Sequence, residues 1–170
     1  YLATNIESDE NLAAHLLPGL NPLGVPSGLS GTVIPFNYND LEGVKTILEQ
    51  DDIAAIKMEV ERNKKPDEGF LETIREMCNE KGIILIFDEI TSGWRTRLGG
   101  VHLDIGVNPD VVVYGKTIAN GVPMGVILGK KKVMQNSTKT FLSSSFWTEK
   151  MGPACALAFI KKSQKISLQK

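Results

Sequence analysis

Two short apolar runs, each ending in a charged residue, set the frame for this chain. Residues 83–87 lead into Asp88-Glu89, and residues 111–114 lead into Gly115-Lys116-Thr117. Runs of Ile, Leu, Val and Phe without polar alternation suit strands of a buried parallel sheet. The interval between Asp88 and Lys116 has room for one connecting stretch between strands of the same sheet.

The surrounding pattern supports that frame. Residues 53–58 read as a strand that delivers Glu59 at its end. Pro66 opens a helix over 67–81, in which Phe70, Leu71, Ile74, Met77 and Cys78 share a face. Gly82 closes it after Lys81. Strand, helix and strand make a βαβ unit. Further strands are expected at 111–114 and 124–128, the latter ending at Gly129, and a last helix at about 151–161. Upstream, 32–36 reads as a strand. Asn39 is a plausible cap, with Glu42 three residues on, for a helix whose face is Leu41, Val44, Ile47 and Leu48. Residues 1–31 carry many breakers, among them Pro18-Gly19 and Asn21-Pro22, and read as an irregular lead-in. The expected fold class is α/β, a mainly parallel sheet with flanking helices.

Composition narrows the function classes. The 170 residues suit one domain with a sizeable core. A net charge of −1 argues against a polyanion-binding surface, so no nucleic-acid partner is expected. Lys161, Lys162, Lys165 and Lys170 read as a solvated end. No apolar run is long enough to span a bilayer and no signal peptide opens the chain, so no membrane partner is expected. Cys78 and Cys155 fit no metal or redox spacing. Cys78 reads as a buried thiol, and a reducing, cytoplasmic setting follows. The chain begins with Tyr1 rather than Met and reads as a piece of something larger.

In open α/β sheets the ligand sits beyond the carboxyl ends of the strands. Glu59, Asp88 and Lys116 all fall at such ends. Read singly, Asp88 caps a turn and Lys116 is a solvated charge; together they suit pyridoxal 5'-phosphate (PLP). A lysine there joins the aldehyde as a Schiff base, and an acid pairs with the protonated ring nitrogen. The amine must be unprotonated to react, which burial or a nearby cation favours. A nucleotide-binding reading of Gly115-Lys116-Thr117 needs a glycine five residues before Gly115. Asp110 stands there instead. Trp94 reads as packing. Arg95 and Arg97 read as exposed charges, with a substrate carboxylate as their alternative partner. His15 and His102 read as structural, and Glu89 as a brace that pairs with a nearby cation.

The segments Phe87-Asp88-Glu89-Ile90-Thr91-Ser92-Gly93-Trp94-Arg95 and Gly115-Lys116-Thr117 through Gly121-Val122-Pro123-Met124-Gly125, with Pro109-Asp110 between them, resemble the class III aminotransferases. The resemblance points in particular to their glutamate-1-semialdehyde aminomutase-like branch. It implies a fold type I PLP domain with Lys116 as the Schiff-base lysine and acid/base. It also implies Asp88 on the ring nitrogen and Thr91 near the ring's phenolic oxygen. Ser143-Ser144-Ser145-Phe146-Trp147 resembles the segment that reaches the phosphate of a neighbouring subunit, which implies a homodimer with Ser145 as phosphate ligand. Glu59 is implied in the cofactor pocket, although Val60 stands where the family has proline. The substrate implied is a small amino-group donor or acceptor. The family's phosphate loop and ring-stacking aromatic fall before Tyr1, and its small domain after Lys170. Residues 1–170 are therefore expected to be a partial large PLP-binding domain. A catalytically silent scaffold of the same fold is the alternative.

Overall fold

The computed structural model describes residues 28, 32–50, 52–61 and 63–166. The chain forms two compact units that divide between Asp52 and Ile53. Most of the expected irregular lead-in, 1–31, lies outside the described residues.

In the first unit, helix α1 spans Leu41–Leu48 and buries Val44 and Leu48. Its cap is Asp40, not the expected Asn39: the Asp40 carboxylate accepts from the Gly43 amide at 2.9 Å. A cap must sit immediately before the first helical residue to reach that amide. Asn39 instead takes φ 68°, a left-handed conformation that asparagine tolerates. Residues 32–36 form no strand. Their composition suits extended chain, but a strand needs a ladder partner, and the four paired strands among the described residues all lie in the second unit.

That unit holds β1 (Ala55–Glu59), β2 (Ile84–Asp88), β3 (Val111–Tyr114) and β4 (Val126–Gly129), in the order β1-β2-β3-β4. The first three are parallel, and β4 runs antiparallel to β3. The mainly parallel sheet is as expected; β1, β2 and β4 begin one or two residues later than the pattern suggests. Helix α2 (Phe70–Lys81) makes the crossover between β1 and β2 and buries Phe70, Leu71, Ile74 and Cys78. It starts after Gly69, not at the expected residue 67, because Gly69 turns left-handed at φ 79°. Gly82 closes it at φ 69°, its amide bonded to the Cys78 carbonyl. Burial pushes the Cys78 thiol up to about 11, as suits a structural cysteine.

Strands β1 and β2 are less evenly buried than their composition suggests. Ile56, Met58, Leu85 and Phe87 are buried, while Lys57, Ile86 and Asp88 share a more open face. Short helices α3 (His102–Ile105) and α4 (Lys131–Met134) flank β3 and β4 in sequence. The last helix, α5 (Met151–Ser163), packs on the 3-10 turn Lys116–Ala119.

Candidate functional site

The carboxyl rim of the parallel strands carries four of the sequence-predicted residues: Glu59, Asp88, Thr91 and Lys116. Strand register places Glu59 opposite Asp88, and Asp88 opposite Val113. Strand β3 stops at Tyr114, Gly115 continues extended, and Lys116 turns sharply at φ 45°. A left-handed lysine costs roughly 1–2 kcal/mol, and such outliers gather at functional sites. From that turn Lys116 Nζ donates to Thr91 Oγ1 at 2.8 Å.

Asp88 uses both carboxylate oxygens. Oδ1 accepts from the Ile90 amide at 3.1 Å, the turn-capping role expected of it when read singly. Oδ2 accepts from Lys57 Nζ at 2.6 Å. The Asp88 side chain is 16% exposed and that of Lys57 61%. Sequence reasoning missed Lys57. Its signal was a single cation inside an apolar strand, two residues before Glu59.

Glu89 is fully buried. It accepts from the Val101 amide at 2.6 Å, the His102 amide at 3.1 Å and Ser92 Oγ at 3.2 Å, and His102 Nδ1 lies 2.5 Å away. Burial works to raise this carboxyl, but the bonds from the His102 ring and the two amides outweigh it and hold it below its ordinary value. The brace expected of Glu89 is therefore real, with an imidazole and neutral donors around it. A Cβ at Gly100 would overlap both the Glu89 carboxylate and the His102 ring, so glycine is required there. This cradle ties the turn after β2 to the loop that enters α3.

The neighbouring residues are spoken for. Trp94 packs edge-on against Tyr114 and Phe159, at centroid distances of 6.3 and 6.0 Å, in the packing role expected. Burial holds the Tyr114 phenol up at about 12, so it stays neutral. Arg95 donates to the Thr91 carbonyl and Arg97 pairs with Asp104. Glu59 is half-buried at the end of β1. Ser145 stands outside the rim's hydrogen bonds, in an exposed turn over 145–148. His15 lies outside the described residues.

At the opposite rim, Asp110 precedes β3. Its carboxylate accepts from Arg75 Nη1 at 2.8 Å, the Leu85 amide at 2.9 Å and Lys130 Nζ at 2.8 Å. Burial opposes its ionisation, but Lys130, the Leu85 amide and Arg75 together hold it down at about 2. The position that a phosphate loop would give to glycine is thus a structural anchor. Among the described residues no cluster of His, Cys, Asp or Glu is arranged to hold a metal, and no helix is long and apolar enough to cross a membrane.

Comparison with known proteins identifies the family. The 3-aminobutyryl-CoA aminotransferase of Cloacimonas acidaminovorans is 39% identical over 150 residues, covering 81% of this chain and 36% of the relative. Glutamate-1-semialdehyde 2,1-aminomutase 1 of Lachnoclostridium phytofermentans is 43% identical over 119 residues, 66% of this chain and 28% of the relative. The chain thus spans about a third of the length of these proteins. Among solved structures, an omega-transaminase from Sphaerobacter thermophilus matches with a TM-score of 0.76 and 28% identity, covering 86% of this chain and 35% of that one. The FumI protein of Sphingopyxis sp. MTA144, solved in its PLP internal aldimine form, matches at 0.78 and 25%, covering 84% and 36%. The aminotransferase class-III model matches residues 36–170. This chain belongs to the class-III aminotransferases, a family of PLP-dependent enzymes.

Proposed function

We propose that the chain supplies the amine and carboxylate of a PLP site in an aminotransferase or a glutamate-1-semialdehyde aminomutase-like enzyme, as part of its large domain. One observation carries the reading: Lys116, in a left-handed turn after β3, reaches Thr91 just beyond Asp88 on the adjacent strand. The donor set fits the cofactor. It offers an amine for the aldehyde, a carboxylate for a protonated ring nitrogen and a hydroxyl beside the amine. Bound PLP supplies an electron-accepting ring and an aldehyde that takes up amino groups.

The chain's residues do the rest. Lys116 would hold the cofactor through its amine and would move the proton at the substrate carbon. Asp88 orients the ring and keeps its nitrogen protonated. Thr91 positions Lys116 and would offer its hydroxyl to the bound ring. Glu59 borders the pocket, and Ser145 binds phosphate across a homodimer interface. The substrate is a small amino-group donor or acceptor, and the setting is cytoplasmic, which suits the two free thiols, Cys78 and Cys155.

The test is PLP addition, borohydride reduction and peptide mapping. It is run on this chain and on a form lengthened at both ends with the matching segments of the Lachnoclostridium aminomutase. The expected label is on Lys116. A folded protein with no Lys116 label in either form overturns the reading and favours a silent scaffold of the same fold.

A further inference from the structure

Lys57 is the single cation in the apolar run 53–58. It pairs in register with Ile86, two residues before Asp88, so strand alternation puts Lys57, Ile86 and Asp88 on one side of the sheet. Its ammonium meets Asp88 Oδ2 at 2.6 Å, while the Ile90 amide holds Oδ1 at 3.1 Å. The carboxylate assigned to a ring nitrogen therefore already has a cation on it. At 61% exposure, against 16% for Asp88, that cation stands on a flexible stem at the open side and can withdraw without disturbing the core.

We propose that Lys57 is a positioning residue that competes with a protonated ring nitrogen for Asp88 and so sets how firmly a pyridinium is held. The inference rests on the PLP reading above. Two routes give the same sign. If the ammonium is displaced, the ring must offset the lost ion pair. If it stays, two cations share one carboxylate and repel. Either way Lys57 weakens the hold on a protonated ring. Exposed ion pairs are worth little, so the effect is modest.

The experiment measures dissociation constants by the absorbance of bound cofactor, in the chain and its lengthened form. The ligands are PLP and its deaza analogue, which lacks the ring nitrogen. The preference for PLP over the deaza analogue is expected to rise about three- to fivefold in Lys57→Met. It should stay at the parent value in Lys57→Arg, and Lys57→Met should change nothing once Asp88→Asn is present. An unchanged or smaller preference in Lys57→Met, with Lys116 still labelled, overturns this inference and leaves the PLP reading standing. The same holds for an equal rise when Asp88 is Asn. Loss of Lys116 labelling in every variant, the parent included, overturns both.

Discussion

At the start of β3, Asp110 is met by a guanidinium, an ammonium and a backbone amide; at the end of β2, Asp88 is met by one amide and one mostly exposed lysine. Both are aspartates at strand ends of one sheet, with side chains 11% and 16% exposed. Their environments assign them different work. Arg75, itself only 13% exposed, is fixed in place, so the Asp110 charge is bound into the fold. The partner of Asp88 is 61% exposed, so its charge remains exchangeable. Glu89, next in sequence to Asp88, belongs with Asp110: fully buried and surrounded by donors. Two adjacent carboxylates thus divide into an available one and a structural one.

That contrast yields tests of decreasing effect. Lys116→Ala should abolish the borohydride-trapped label on its peptide while leaving the unfolding curve close to the parent, since its amine makes one exposed bond. A label that persists at the same peptide would assign the chemistry elsewhere on the rim. Glu89→Ala should cost about 3–5 kcal/mol in denaturant unfolding, because an imidazole and two amides lose a buried acceptor. A loss below about 1 kcal/mol would remove Glu89 from the structural class.

Asp110→Asn should cost about 1–3 kcal/mol. The same aspartate gives an acid signature. Its carboxyl is lowered from the ordinary 3.8 to about 2, so its contribution is fully present above pH 3.8 and disappears as pH falls toward 2. Thermal unfolding between pH 5 and 2 should show a steeper loss in the parent than in Asp110→Asn. The smallest effect is expected from Lys57→Met, which should shift stability by less than about 1 kcal/mol. A larger loss would show the Asp88 pair to be as structural as that of Asp110.

Much of this was legible in the linear pattern. The βαβ unit followed from apolar runs on either side of a helical face closed by Gly82, because such periodicity is local. The placing of Asp88 and Lys116 at strand ends followed in the same way, and with it the resemblance that the family match bears out. Other features resisted. Residues 32–36 have strand-like composition, yet a strand also needs an edge to pair with. The shift of the cap from Asn39 to Asp40 turned on one residue of phase. The reversal of β4 against β3 depends on how the chain turns through 120–125, where glycine and proline permit several paths.

Residue order alone thus dictated the four paired strands, helices α1, α2 and α5 and the charges at the strand ends, because side-chain periodicity and turn chemistry act over a few neighbours. The state of each charge needed the packed fold. Lys57 reaches Asp88 only through strand register, and Arg75 and Lys130 reach Asp110 only because helix α2 carries Arg75 to it and antiparallel β4 ends beside it. Glu89 loses all contact with water only when the loop through Gly100 closes on it. Electrostatics is set by distances and burial between residues far apart in the chain, and folding alone fixes those.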